Sequence, residues 1–173
     1  MRLYGVLEQR PGQGRRLSRA LGERASWLWP KYHALVEWNP MVPELLVGDF
    51  ETSRAFYVEL LGFAVCFERT APPFAYLDLG GAQLMIEQDH PEAWRTADLE
   101  APRGRGMNLQ IEVEDAAGLR DRLKTAGHQP FRDLADAWYD IGGGSRSGLR
   151  QFLVQDPDGY LLRFAEPLGE RSV

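Results

Sequence analysis

Cysteine and histidine are scarce in this chain of 173 residues, which contains the single cysteine Cys66 and three histidines. One cysteine excludes an internal disulfide, and this fits a reducing compartment, so we expect a cytoplasmic protein. Cys66 itself is most simply a strand residue and only remotely a nucleophile. His33 lies outside the two repeats described below, His90 follows a strand and His128 follows a helix. Each histidine is therefore interpreted as a surface or loop residue and not as a metal ligand.

Long apolar runs are also absent, since no stretch approaches the roughly 20 residues that a membrane-spanning helix needs. The apolar stretch at Met1–Leu7 is very short, and Glu8 and Arg10 follow it at once, which is unlike a secretory signal. No Gly-x-Ser-x-Gly element is present, and the glycines at 142–144 are followed by Ser145 without the lysine of a phosphate-binding loop. The sequence thus predicts no membrane partner and no nucleophile elbow.

Charge is divided unevenly along the chain, whose net charge is -5. Residues 1–38 hold seven Lys or Arg and three Glu, whereas the remainder holds 13 basic and 22 acidic residues, a net charge of -9. An acidic surface repels nucleic acid and attracts cations, so no nucleic-acid partner is expected. The charge alone fits a protein that binds a cationic ligand and fits equally well an acidic surface that only aids solubility.

The same order of elements occurs twice. A predicted strand at 41–47 runs into Asp49, and another at 108–113 runs into Asp115, and each acid stands where a helix N-cap is needed. The predicted helices at 52–61 and 116–124 then end at a glycine. Each half closes with a hairpin, at 74–86 through a Gly-Gly turn and at 150–164 through an Asp-Pro-Asp-Gly turn.

These repeats predict an α+β protein with two βαβββ modules at about 41–88 and 107–166, in a single domain that spans 41–173. Residues 1–40 form an N-terminal extension. Its segment 15–29 could form a short basic helix before Pro30 that packs on the domain or on a second subunit. A disordered tail, or an extension upstream of a natural start at Met41, remains an alternative. A membrane or nucleic-acid anchor is the weakest interpretation.

Several motifs in the correct order resemble those of one known superfamily. They are the segment at 47–57 (Val-Gly-Asp-Phe-Glu-Thr-Ser-Arg-Ala-Phe-Tyr), the Leu-Gly-Phe element at 61–63 and the Asp-Pro-Asp-Gly turn at 156–159. Over residues 41–167 the chain resembles the vicinal-oxygen-chelate superfamily of glyoxalases, bleomycin resistance proteins and dioxygenases, and it is most similar to the bleomycin resistance protein branch. The resemblance implies modules with a curved mixed sheet around a cavity, and usually a homodimer with ligand clefts between subunits.

Metal-dependent members of that superfamily take ligands from the first and fourth strands of each module. The matching positions here are Val42, Met85, Asn108 and Arg163. Val has no lone pair, Met is a poor ligand for hard divalent ions, Asn is weak and Arg is a cation. An error in this register would offer Pro43 or Glu44 in the first strand and Leu84 or Ile86 in the fourth, and the set would still be poor. We therefore expect no metal and no cofactor.

The resemblance also suggests which residues contact a ligand. Aromatic residues that sandwich the drug in bleomycin-binding relatives match Phe67 and Phe74, although each could equally be a strand residue of the core. Strand alternation adds further cavity-facing candidates, and a loop predicted at 133–148 carries two aromatics suited to a movable wall. Trp94 is expected to close the mouth of the cavity. The candidates from alternation and from the loop are Tyr76, Met85, Gln110, Arg163, Trp138 and Tyr139.

Some of these positions depart from the drug-binding pattern. Gln110 stands where relatives place an aromatic residue, so one stacking contact with the drug would be lost. This weakens the case for bleomycin itself and leaves a case for some aromatic or cationic ligand. Arg163 favours an anionic or carbonyl group on the ligand, unless it pairs with Glu112 or another acid.

We therefore predict a metal-independent binding protein that sequesters a small drug-like molecule and confers antibiotic resistance without catalysis. The alternative is a metal-dependent lyase, isomerase or dioxygenase of the same superfamily with a displaced metal site. A third hypothesis is a structural or regulatory relative that binds no small molecule.

Overall fold

The computed structural model describes residues 37–172 of the chain. The chain divides into two units, residues 1–38 and residues 39–173, and the description below concerns the second. The helix predicted at 15–29 and His33 lie outside the described residues. Within 37–172, no helix combines the length and the apolar character that crossing a lipid bilayer requires.

The first module has four strands and one interrupted helix. Its elements are β1 (Glu44–Val47), α1 (Phe50–Ala55), a π-helical segment (Phe56–Leu61), β2 (Ala64–Thr70), β3 (Pro73–Leu79) and β4 (Ala82–Gln88). The strands form one sheet, in which β1 lies parallel to β4 and the other pairs are antiparallel. We call this sheet 1; its strand order is β1-β4-β3-β2.

The second module repeats this topology. Its elements are β5 (Asn108–Glu112), α2 (Ala116–Thr125), β6 (Arg132–Gly142), β7 (Ser145–Gln155) and β8 (Leu161–Ser172). In its sheet, called sheet 2, the order is β5-β8-β7-β6 and β5 lies parallel to β8. The predicted α+β fold of two βαβββ modules is confirmed.

Both predicted helix starts are also confirmed. The Asp49 carboxylate accepts a 2.7 Å hydrogen bond from the Thr52 amide, and the Asp115 carboxylate accepts one of 2.8 Å from the Gly118 amide. These bonds satisfy amide groups that have no partner inside the helix. The first helix differs from the prediction in its second half, where it widens to the π form and buries three residues: Phe56, Tyr57 and Leu61.

Each sheet buries one face against the helices, and we call this its inner face. In sheet 1 the alternate residues Leu45 and Val47 of β1 are buried there, together with Ala75, Leu77, Leu84 and Ile86 of the neighbouring strands. In sheet 2 the inner face carries Ile111, Phe152, Val154, Leu162 and Phe164. All of these residues belong to one continuous core. The outer face of each sheet is turned away from that core.

The segment at 133–148 is a long β-hairpin, so the loop predicted there is wrong. Strands β6 and β7 pair from Arg132 to Gly142 and from Ser145 to Gln155, and only the glycines between them form the turn. Strand β8 is also longer than predicted and runs to Ser172, while β1 begins at Glu44 and not at Met41. Extensive pairing in a three-stranded ribbon stabilises residues that have little strand propensity of their own.

The Asp-Pro-Asp-Gly turn joins the two modules. The buried Asp156 carboxylate accepts a 2.9 Å hydrogen bond from the Tyr57 hydroxyl, and Asp158 accepts one of 2.9 Å from the Gly48 amide. From the same turn, the Tyr160 hydroxyl donates to the Leu46 carbonyl at 3.1 Å. The turn therefore does more than reverse the chain, because its side chains bind the first module to the second. We call this group of contacts the module joint.

Candidate functional site

Three aromatic rings stack on the outer face of sheet 1. The centroids of Phe67 and Tyr76 are 5.4 Å apart with nearly parallel planes, and Phe74 lies 5.6 Å from Phe67. The structure places all three outside the continuous core, and each is 7% exposed or less. Met85 pairs directly with Tyr76 and shares this face. Four of the residues proposed from the sequence are thus brought together.

Charged side chains that the sequence did not single out as a group lie beside these rings. The Glu87 carboxylate, which is 7% exposed, contacts the Arg69 guanidinium and lies 2.7 Å from His90 Nε2. Arg69 also stacks over the Phe74 ring, with 4.3 Å from its Cζ to the ring centroid. Partial burial and the neighbouring Glu87 carboxylate raise the pKa of Glu44. The outer face of sheet 1 therefore combines aromatic rings with two adjacent carboxylates.

A cavity of about 680 Å³ opens at the β1 edge of sheet 1. It is lined by Glu44 and Leu46 of β1, by Tyr160 of the module joint and by part of the segment that connects the modules. That segment contributes Trp94, whose side chain is 96% exposed, and Leu99. The structure thus places Trp94 at a cavity that has aromatic and apolar walls, the Glu44 carboxylate and the guanidinium of Arg95, which pairs with Asp89.

The outer face of sheet 2 carries a polar network. Arg163 of β8 donates from Nε to Gln151 Oε1 at 2.7 Å and from Nη2 to the Tyr139 hydroxyl at 3.1 Å. Gln151 Nε2 donates to the same hydroxyl at 2.7 Å. Gln110 is the register partner of Arg163 on β5 and is exposed. Three further residues proposed from the sequence, Gln110, Tyr139 and Arg163, therefore share this second face and not the first.

Trp138 lies on the opposite face of β6 from Tyr139, because successive strand residues alternate. Its ring covers Gly148, where an added Cβ would lie 2.7 Å from the ring, and Arg171 stacks over it at 3.8 Å. The two neighbouring aromatics thus do not form one wall. Cys66 is a residue of β2, as expected, and burial raises the pKa of its thiol. A raised pKa disfavours the nucleophilic thiolate.

The side chains at the positions that hold metals in metal-dependent relatives do not suit a divalent ion. Met85 and Arg163 occupy those positions on β4 and β8, Asn108 begins β5, and Val42 precedes β1. A thioether, a cation, an amide and an alkyl group do not make a divalent ligand set. Among residues 37–172 no group of three or more His, Cys, Asp or Glu is arranged to hold a metal ion. The Glu87 and His90 pair contacts the cationic Arg69, which opposes a second cation there.

Comparison with known proteins agrees with this architecture. The sequence is 29% identical over 136 residues to the bleomycin resistance proteins of Geobacillus stearothermophilus and Staphylococcus aureus, which covers 73% of this chain and 96% of theirs. The structure of TioX from Micromonospora sp. ML1 matches with a TM-score of 0.55 and 24% identity, over 75% of this chain and 100% of that one. Virulence protein STM3117 from Salmonella typhimurium matches with a TM-score of 0.52 and 18% identity, over 76% and 98%.

Those two structures share the fold of this protein. The family model described as the glyoxalase/bleomycin resistance protein/dioxygenase superfamily matches residues 38–164, which include every strand and helix of the two modules up to Phe164 in β8. The chain therefore belongs to the glyoxalase/bleomycin resistance protein/dioxygenase superfamily.

Proposed function

We propose that this protein binds and sequesters an aromatic, cationic small molecule without using a metal and without transforming its guest. The observation that carries the proposal is the cavity of about 680 Å³ in which Trp94 and Leu46 lie beside the Glu44 carboxylate. Binding sites for small molecules commonly measure about 300–1,000 Å³ and combine apolar walls with a few polar groups. The indole favours a flat or cationic partner, because its ring face is electron-rich.

Glu44 is the carboxylate of the cavity lining that a cationic guest would meet, because Arg95, which also lines the cavity, is already paired with Asp89 at 2.7 Å. Partial burial and the nearby Glu87 raise the pKa of Glu44, so the ionised form of Glu44 is disfavoured in the free protein. A cation bound next to Glu44 would favour that ionised form and would offset the repulsion between the two carboxylates. We therefore expect affinity for a cationic guest to decrease as the pH falls through the raised pKa of Glu44.

The stacked rings of Phe67, Phe74 and Tyr76 are proposed as a second set of contacts. Because each is 7% exposed or less, their role requires the outer face of sheet 1 to open around the guest. We consequently expect the exposed Trp94 to contribute more to binding than Phe67.

Metal independence is the part of the proposal that separates it from an enzymatic role. Val42, Met85, Asn108 and Arg163 supply no suitable set of oxygen or nitrogen ligands, and this argues against the lyase, isomerase or dioxygenase alternative. We also propose that the working state is a homodimer, which the resemblance to the superfamily implies. Light scattering that gives the mass of one chain at all concentrations would contradict the dimer.

Calorimetric titration with copper-free bleomycin and related cationic glycopeptides tests the proposed function, because the curated relatives bear the name bleomycin resistance protein. We expect binding to the unaltered protein, and a loss of about tenfold or more in affinity for Trp94→Ala and for Glu44→Gln. Phe67→Leu should have a smaller effect.

Two matched controls distinguish the loss of contacts in the cavity from the general effect of removing an exposed ring or an exposed carboxylate. Phe131→Ala removes an aromatic ring that is 58% exposed on the second module, and Glu51→Gln removes an exposed carboxylate on α1. Both controls should bind as the unaltered protein does. The absence of a heat signal with every cationic glycopeptide would contradict the proposed ligand class, and equal affinity for Trp94→Ala would contradict the cavity.

A further inference from the structure

The chemistry of Arg163 determines which atoms donate and which accept in the hydrogen-bond network around it. A guanidinium can only donate hydrogen bonds, so the atom of Gln151 that faces Arg163 Nε at 2.7 Å must be the amide oxygen. The amide nitrogen of Gln151 then faces Tyr139 and donates to its hydroxyl oxygen at 2.7 Å. The arginine thus determines which end of the Gln151 amide is the oxygen and which is the nitrogen.

This assignment leaves the network with more free donors than free acceptors. The Tyr139 oxygen accepts from both Gln151 and Arg163, so its two lone pairs are used and its own hydrogen is left to donate. The Gln151 oxygen accepts from Arg163 Nε and keeps one further lone pair, while Arg163 Nη1 has no hydrogen-bond acceptor within residues 37–172. The free positions of the network are therefore mainly an O–H group and N–H groups, which suit a partner that accepts hydrogen bonds.

The network also carries an uncompensated positive charge. Across the part of the chain that the structure describes, no carboxylate lies within ion-pair distance of Arg163, so the pairing with Glu112 considered from the sequence does not occur. Arg150 on the neighbouring strand shows the contrast, because Asp136 binds it in a bidentate pair at 2.8 and 3.0 Å. Arg163 is half-buried and Tyr139 is 42% exposed, so the group is open to solvent.

We propose that Arg163, Tyr139 and Gln151 form a subsite that binds the anionic oxygen group of an aromatic ligand, such as a carboxylate or a sulfonate. The Tyr139 ring supplies an exposed surface for stacking beside the donors. Gln110, the exposed register partner of Arg163, can add a further amide donor. The proposal does not depend on the cavity at Trp94, because the two groups of residues have no member in common.

Nuclear magnetic resonance titration with naphthoate tests this subsite, with neutral naphthamide and cationic naphthylmethylammonium as probes of the same ring. We expect naphthoate to shift the Arg163 Nε–H resonance and to bind more tightly than either other probe. Arg163→Met should weaken naphthoate binding by about tenfold or more, because a charge-assisted bond is lost. Tyr139→Phe, which keeps the ring, should weaken it by about threefold to tenfold.

Arg146→Met is the matched control, since Arg146 lies on β7 and makes no ion pair among residues 37–172. It should bind naphthoate as the unaltered protein does. Tyr139→Phe keeps the test valid if Arg163→Met is unstable, because Tyr139 is exposed. An unchanged Arg163 resonance up to the solubility limit of naphthoate would overturn the subsite, as would naphthoate binding by both Arg163→Met and Tyr139→Phe that is as tight as binding by the unaltered protein. A failed bleomycin titration with normal naphthoate binding would reject the proposed function and leave the subsite in place.

Discussion

The Tyr57 hydroxyl donates a hydrogen bond of 2.9 Å to the Asp156 carboxylate, and both side chains are buried. The same carboxylate accepts bonds from the backbone amides of Asp158 at 3.0 Å and Tyr160 at 2.8 Å. Burial nevertheless raises the pKa of Asp156 to about 6. The module joint therefore contains an acid whose ionised form is disfavoured where the two halves of the protein meet.

This acid should make the stability of the protein depend on pH. The unfolded chain releases the Asp156 proton near the ordinary value of 3.8, whereas the folded protein keeps it until about 6. Between these values the folded state holds more protons, so the contribution of Asp156 to the free energy of unfolding falls as the pH rises. The fall should reach up to about 3 kcal/mol and then level off above the folded pKa.

The comparison of Asp156→Asn with the unaltered protein by urea unfolding at several pH values isolates this contribution. The difference between the two free energies of unfolding should shift in favour of the variant between pH 4 and 7. Gly143→Ala, which changes no titratable group, is the control. A difference between Asp156→Asn and the unaltered protein that is independent of pH in this range would contradict the prediction.

Arg103, in the segment between the modules, is predicted to stabilise the joint. It donates to the Leu46 carbonyl at 2.7 Å, pairs with Asp158 at 3.1 Å and is 13% exposed. Arg103→Gln should lower the free energy of unfolding by about 1–3 kcal/mol, because the partly buried Leu46 carbonyl and Asp158 carboxylate lose their charged donor. Arg105→Gln removes an arginine that is 58% exposed and should change stability little. Equal effects of the two substitutions in urea unfolding would show that the burial of Arg103 is immaterial.

Gly159 should not tolerate a side chain. Its φ is +94°, and an added Cβ would lie 2.5 Å from the Cβ of Pro102 and 2.7 Å from its Cα. Gly143 in the β6–β7 turn has a φ of +63° and nothing within 4 Å of an added Cβ. Gly143→Ala should therefore lower the free energy of unfolding by only about 1–2 kcal/mol, which is the cost of placing a residue with a Cβ at positive φ. Gly159→Ala should cost distinctly more, and thermal unfolding that ranks the two variants in the reverse order would refute the close approach.

Metal content gives a further prediction. Protein purified without chelators should contain divalent metal well below one equivalent, because the side chains at the expected ligand positions cannot hold it. Treatment with EDTA should change neither the melting temperature nor the affinity for a ligand. A stoichiometric metal detected by mass spectrometry of the purified protein would instead favour the enzymatic alternative.

The features of the fold that depend on local chemistry could be predicted from the sequence. Asp49 and Asp115 stand before amphipathic helices, and a glycine ends each helix, so the repeat was recognisable without long-range information. The β6–β7 hairpin was missed because glycines and small residues at 142–148 indicate a loop, and pairing with β8 overrides that preference. The π-helical segment has no comparable local signal.

The candidate site was predictable only in part. Strand alternation predicts Tyr76, Met85, Gln110 and Arg163 as residues that face the cavity. In the structure Tyr76 and Met85 lie on sheet 1 and Gln110 and Arg163 lie on sheet 2, a separation that alternation cannot show. The sequence does not predict the contact between Glu87 and His90, because it indicates only that His90 follows a strand. The bond between Tyr57 and Asp156 spans 99 positions in the chain, and no local pattern encodes such a pairing.

Tyr160 gives the duplicated architecture an asymmetric character. Its hydroxyl reaches back to the Leu46 carbonyl, and its ring forms part of the wall of the cavity that β1 borders. One half of the protein thus completes a concavity on the other, so the halves are no longer interchangeable copies. If the two modules were separate polypeptides, the first would lack the part of the cavity wall that Tyr160 supplies. A substitution in one module can therefore alter a cavity that belongs to both.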